Sequence, residues 1–161
     1  MRVNMRLLLS ILTVATLALA ADYTGPRPAK TDTLYLVHAD NLIELEHVDS
    51  KQESKKNEIL YSVPGTAATA KTPLAEPIFI LKSDKISPES VELYKFEIKN
   101  GHRELTMAAQ RRSRGGPHAY RLSVTQLERG LYRIEASETL ENGEYGLSPS
   151  GSNDVFCFSV F

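Results

Sequence analysis

Residues 91–98, Val-Glu-Leu-Tyr-Lys-Phe-Glu-Ile, put Tyr94, Phe96 and Ile98 on one side of an extended chain and Lys95 and Glu97 on the other. Alternation with a period of two marks a half-buried strand, because successive side chains of a strand point to opposite faces. The pattern recurs along the chain. Residues 119–124 set Tyr120, Leu122 and Val124 against Arg121 and Ser123, and residues 131–136 set Tyr132, Ile134 and Ala136 against Arg133 and Glu135. Further runs cover 33–38, 42–48, 58–63, 78–82 and 155–160. Past the first twenty residues the 3.6-residue period of an amphipathic helix is almost absent. Strands at short spacing without intervening helices predict an all-β antiparallel sandwich or barrel of about 8 to 10 short strands.

The punctuation between the runs agrees. Asn100-Gly101 separates residues 96–99 from 102–105, and Asn-Gly is the strongest short hairpin signal because both residues accept the positive φ of a type I′ turn. Gly115-Gly116-Pro117 parts the next pair of strands. Residues 64–73 (PGTAATAKTP) read as a small-residue connection over the surface or an edge, and residues 51–56 (KQESKK) as a solvated, charged hairpin loop.

One phrase occurs twice. Residues 127–132 read L-E-R-G-L-Y and residues 140–145 read L-E-N-G-E-Y, placing Gly130 before Tyr132 and Gly143 before Tyr145. In each copy glycine lets the chain turn sharply, and the tyrosine two residues later points inward. The arrangement resembles the tyrosine corner of immunoglobulin-like and fibronectin-III-like sandwiches, where a Leu-x-x-Gly-x-Tyr phrase leads into a strand. The resemblance implies an immunoglobulin-like sandwich in which each hydroxyl returns to the backbone of the preceding connection. On that reading Tyr132→Phe removes a buried hydrogen bond of about 1 kcal/mol. The chain departs from true immunoglobulin domains in having no Trp and a single Cys. Two copies so close in sequence are too short to be units of a repeat array.

The start of the chain reads as an export signal. Arg2 and Arg6 supply a positive region, residues 7–19 are uncharged and largely apolar, and Ala18-Leu19-Ala20 offers a small-x-small cleavage site. The apolar run falls short of the roughly 20 residues needed to span a bilayer. The expected organisation is a cleaved signal peptide at 1–20, a flexible segment at 21–32 and a β-sandwich domain at 33–161. Loss of Arg2 and Arg6 takes 19 basic residues to 17 against 20 acidic ones, a formal charge of −3. That balance gives no pull towards nucleic acid or anionic membranes. With one cysteine, Cys157, the chain holds no internal disulfide, and burial alone must stabilise it.

The search for chemistry returns little. Residues 146–151 (GLSPSG) have a serine between glycines, but Pro149 follows it and no helix is there to receive a nucleophile elbow. Cys157 sits in the apolar run Val155-Phe156-Cys157-Phe158, an environment that raises a thiol's pKa. His38 and His47, flanking Asp40, Glu44 and Glu46, come nearest to a metal-ligand set, and a hairpin turning near Asn41 would bring them together. Their spacing matches no zinc pattern, so a cross-strand pair is the simpler reading and no metal or other cofactor is expected. Arg111, Arg112 and Arg114 crowd a hairpin tip and suit bidentate contact to an anionic or protein partner. No aromatic residues interleave with them, which argues against nucleic acid.

The function this supports is a non-enzymatic binding or interaction module, secreted or periplasmic and without stable membrane insertion. The alternatives are a metal-binding protein or hydrolase using dispersed His and carboxylate residues, a structural subunit of a surface assembly, and a small outer-membrane barrel. The barrel is suggested by the terminal aromatic strand ending at Phe161, but the strands are too short for a tilted membrane crossing.

Overall fold

Strand alternation becomes strand pairing in the computed structural model, which describes residues 22–109 and 117–161. The first half of the chain forms β1 (Thr33–His38), β2 (Asn41–Glu44), β3 (Glu46–Asp49), β4 (Lys51–Lys55), β5 (Glu58–Pro64), β6 (Lys71–Thr72) and β7 (Ile78–Lys82). A single 3-10 turn at Pro88–Ser90 leads into β8 (Val91–Lys95), followed by β9 (Glu97–Lys99) and β10 (His102–Ala108). The last four are β11 (Leu122–Glu128), β12 (Leu131–Ala136), β13 (Gly143–Pro149) and β14 (Asp154–Val160). They form three antiparallel sheets: a first in the order β11-β12-β7-β1-β2, a second in the order β4-β5-β10-β9, and a third in the order β3-β14-β13-β8. The short β6 joins β14 in parallel. None of these sheets closes on itself among the described residues, so the barrel is not the fold.

The described residues form 14 strands where 8 to 10 are expected: the runs at 42–48 and 91–98 each split in two where the chain changes sheet at a single residue, and residues 51–55 and 71–72, expected as connections, are strands as well. Between β2 and β3, Leu45 is 2% exposed and its N–H donates to the Leu34 carbonyl at 3.1 Å. Between β3 and β4, the Ser50 N–H donates to the Asn153 carbonyl at 2.9 Å. Between β8 and β9, the Phe96 N–H donates to the Glu144 carbonyl at 2.8 Å. Each such residue keeps its backbone bonded while the chain bends, so residues 41–55 pass through all three sheets without a conventional turn. The bend after Phe96 also breaks the expected face: Tyr94 and Phe96 are buried, but Ile98 is 47% exposed.

One connection differs from expectation. Residues 51–55 form strand β4, paired along its length with β5 although every side chain on it is exposed. Residues 64–73 take the edge position expected of them, against β14. Ala68, Ala70 and Thr72 are buried, and their small side chains let the segment pass close beside β14.

The third sheet is covered on both faces. From β14, Phe156, Phe158 and Val160 join a core with Leu34, Leu36, Phe79, Leu81 and Ile134 of the first sheet. Val155 and Cys157, the alternate residues, join a separate core with Val63 and Leu105 of the second sheet. This explains why residues 155–160 are almost continuously apolar instead of alternating, as expected of a strand buried on both sides.

The Asn100-Gly101 turn has φ values of 51° and 77°, and Lys99 pairs with His102 across it, as a two-residue turn requires. Gly130 turns the β11–β12 hairpin at a φ of 74° with its carbonyl accepting the Ser83 N–H at 2.9 Å, and Gly143 opens β13 at 157°. The two tyrosines of the doubled phrase differ. Tyr145 is fully buried and its hydroxyl donates to the Glu141 carbonyl at 2.7 Å. Burial raises its pKa. Tyr132 is only half-buried, and its hydroxyl makes no hydrogen bond among the described residues. The loss expected of a deleted hydroxyl therefore belongs to Tyr145→Phe, at about 1 kcal/mol of unfolding free energy in urea titration, and Tyr132→Phe should leave the midpoint in place.

Residues 22–32 run along the first sheet. The Tyr23 N–H and the Arg27 guanidinium both bond the Glu128 carboxylate. Asp32 Oδ1 accepts the Ser83 hydroxyl and the N–H groups of Asp84, Lys85 and Ile86. Burial works to raise the Asp32 pKa, but these donors outweigh it and hold it below the usual carboxylate value.

Candidate functional site

The space between the second and third sheets holds most of the unusual chemistry. On the third sheet alternation turns Glu46 and Val48 of β3, Val155, Cys157 and Ser159 of β14, Glu144, Gly146 and Ser148 of β13, and Glu92 and Tyr94 of β8 towards the second sheet. From the other side β5 contributes Tyr61 and Val63, and β10 contributes Arg103, Leu105 and Met107.

One end of this space is a polar clasp. Arg103 is 1% exposed; its Nη1 donates to Glu46 Oε2 at 3.1 Å and its Nη2 to Glu46 Oε1 at 2.8 Å. Nη2 also reaches the Pro64 carbonyl at 2.8 Å. Burial acts to lower the guanidinium's pKa, but the hydrogen-bonded Glu46 carboxylate prevails and holds it above its ordinary value. Arg103 Nε is buried with no partner among the described residues. Nearby, Glu144 accepts the Ser159 hydroxyl at 2.6 Å and the Ala68 N–H at 2.8 Å, tying the 64–73 connection to the third sheet. Cys157 lies in the same layer, where burial pushes its thiol up to about 12 even though Arg103 pulls the other way. Such a thiol is protonated and unreactive near neutral pH.

The other end is a cavity of about 150 Å3. Tyr61, Tyr94, Phe96, Leu105, Met107 and Val155 form its apolar wall. Gln52 and the β13–β14 turn, residues 150–153, supply polar lining that is largely exposed. Gly146 supplies the room for the Phe96 ring: a Cβ there would lie 2.6 Å from the ring and 2.7 Å from a Val155 methyl. Glycine is needed here for space, since its φ is not in the left-handed region. Glu92 points into the same cavity, and the Tyr94 hydroxyl donates to its Oε2 at 3.1 Å. A more open hollow of about 390 Å3 lies beside β8 and β11. Its Val91, Tyr120, Leu122 and Val124 already pack on the first core, which leaves the aromatic cavity as the better-formed site.

The residues singled out from sequence lie elsewhere. His38 is exposed at the end of β1, paired with Asn41. His47 lies on β3 of the third sheet, stacked on Phe156 with ring centroids 4.7 Å apart and bonded to Asp154 Oδ1 at 2.9 Å. That bond, with one from Ser152, holds the Asp154 carboxyl below its ordinary value. The hairpin expected to unite the two histidines does not do so, because the chain leaves the first sheet at Leu45. Among the described residues no three His, Cys, Asp or Glu side chains are grouped to hold a metal. Ser148 donates to the Asp154 carbonyl at 2.8 Å. Arg111, Arg112 and Arg114 lie outside the described residues.

Sequence reasoning did not single out Arg103 or Glu144; it named Glu46 only as a carboxylate near the two histidines and Gly146 only within the turn-like run 146–151. Their only signal was strand parity, Arg103 being two residues from the inward Leu105 and Gly146 two from Glu144. No family model matches this chain, and neither does any curated protein or solved structure.

Proposed function

We propose that the chain is an exported, non-enzymatic binding module built on an immunoglobulin-like β-sandwich, with the cavity between the second and third sheets as its contact site. On this reading the sandwich proper is the first and third sheets. The second sheet is an addition laid over the outer face of the third. Support for the immunoglobulin-like assignment comes from the Tyr145 hydroxyl returning to the Glu141 carbonyl, the geometry of a tyrosine corner. Support for export comes from the charged, then apolar, then small-residue pattern of residues 1–20.

The observation that carries the binding reading is the cavity itself. Its aromatic wall stands on paired strands, and polar groups gather at its exposed side. Sites of this kind, preformed and mostly apolar with a few placed polar groups, are the usual form of a small-ligand pocket. The test is titration of uniformly labelled protein with a set of neutral single-ring compounds, followed by backbone amide shifts. Shifts should concentrate at Tyr94, Gly146 and residues 150–153, and should vanish in a Gln52→Trp variant whose indole covers the opening. Amides of the cavity that stay unmoved by every compound would remove it as the contact site.

A further inference from the structure

We infer that this cavity takes a single-ring organic cation, a primary arylalkylamine being the simplest member of the class. The inference rests on the reading of the cavity as the binding site and adds what it selects. Three observations converge on it: size, wall and charge.

A volume of about 150 Å3 suits one ring. An apolar cavity of about that volume, engineered into another protein's core, admits benzene. A nucleotide or an extended peptide does not fit in that space. The wall carries the faces or edges of Tyr61, Tyr94 and Phe96, which favour an apolar ring and, through their π density, a cation beside it. Met107, unbranched and polarizable, lets the wall adapt to substituents.

Charge then separates the ligand classes. Among the lining residues Glu92 is the sole carboxylate, and none is Lys, Arg or His. An anionic ligand would lose its hydration beside a like charge with no cation to replace it, which burial penalises heavily. A neutral ring would gain only the apolar contact. An ammonium group gains that contact together with a charge-assisted hydrogen bond to Glu92, whose Oε2 is held by the Tyr94 hydroxyl.

Three probes of one ring size separate these outcomes: benzylamine, anisole (neutral, with no hydrogen-bond donor) and benzoate, titrated calorimetrically and by amide shifts at neutral pH. Benzylamine should bind at the cavity amides about tenfold more tightly than anisole, the ratio one charge-assisted hydrogen bond supports, and benzoate should not bind. Glu92→Gln should reduce benzylamine to the affinity of anisole and leave that of anisole unchanged. Equal affinity of amine and ether for the unaltered protein overturns the cationic class and leaves the cavity as a site for neutral rings. Benzylamine shifts that fall outside the cavity, or survive Glu92→Gln at full strength, also overturn it. No shift with any of the three overturns both readings together.

Discussion

Arg103→Met is expected to lower the unfolding free energy by about 3 kcal/mol, a fall of roughly 6–12 °C in Tm for a domain of this size. The reason is asymmetry. With the guanidinium present, Glu46 receives two hydrogen bonds from it and a third from the Thr69 N–H at 3.3 Å. With methionine in its place, Glu46 loses both guanidinium bonds in a layer floored by Val63, Leu105 and Cys157. Losing one partner of a buried pair costs about 3–5 kcal/mol. The Glu46 side chain retains 24% exposure, which places the expectation at the lower end of that range. The companion variant Arg103→Met/Glu46→Leu removes both charges and should recover most of the loss, since apolar replacement of a whole buried pair is often neutral. Urea unfolding of the single and double variants makes the comparison. A single-variant loss under 1 kcal/mol would mean that water reaches Glu46 and the clasp is a surface pair in energetic terms.

Gly146→Ala is expected to cost about 1–3 kcal/mol despite adding only one methyl group. The new Cβ would stand 2.6 Å from the Phe96 ring and 2.7 Å from Val155, closer than packed carbons approach. Neither neighbour has an easy retreat. Phe96 is 7% exposed and its N–H is committed to the Glu144 carbonyl, while Val155 sits on β14 between two cores. Shrinking the ring removes the closer of the two contacts, so Gly146→Ala/Phe96→Leu should recover part of the loss of Gly146→Ala. If the loss arose from backbone strain instead, the second substitution would make matters worse.

How much of this was readable in advance follows from what strand parity can and cannot carry. The runs at 33–38 and 78–82 became β1 and β7 with those limits, because each is a short apolar run buried at its centre that lies in the first sheet from end to end. The residues where the chain changes sheet were hidden. A one-residue break at Leu45, Ser50 or Phe96 leaves the local pattern of apolar and polar residues nearly intact, and what marks it is a backbone bond to a distant carbonyl. Arg103 was hidden differently. It shares a strand face with the buried Leu105, but arginine is so seldom buried that its residue type gives no sign of an inward position. Gly146 looked like one more turn glycine beside Gly143 and Gly151, because the ring that requires it, Phe96, is brought there by the tertiary fold. The histidines failed as a pair for the same cause as the strand count: the hairpin imagined between them ends where the chain enters another sheet.

The central position of β14 has a consequence for the order in which the protein can assemble. Residues 46–49 find their sheet partners only at residues 154–157, and the two cores share that strand. Early in synthesis β3 has been made but its template has not, and the hairpins β4–β5 and β9–β10 have no surface to close upon. Contacts so distant along the chain are slow to form, because the loop between them must be closed first. Local hairpins can flicker, but commitment to the native state waits for the final segment to arrive. A chain with this topology stays threadable until its last strand is delivered.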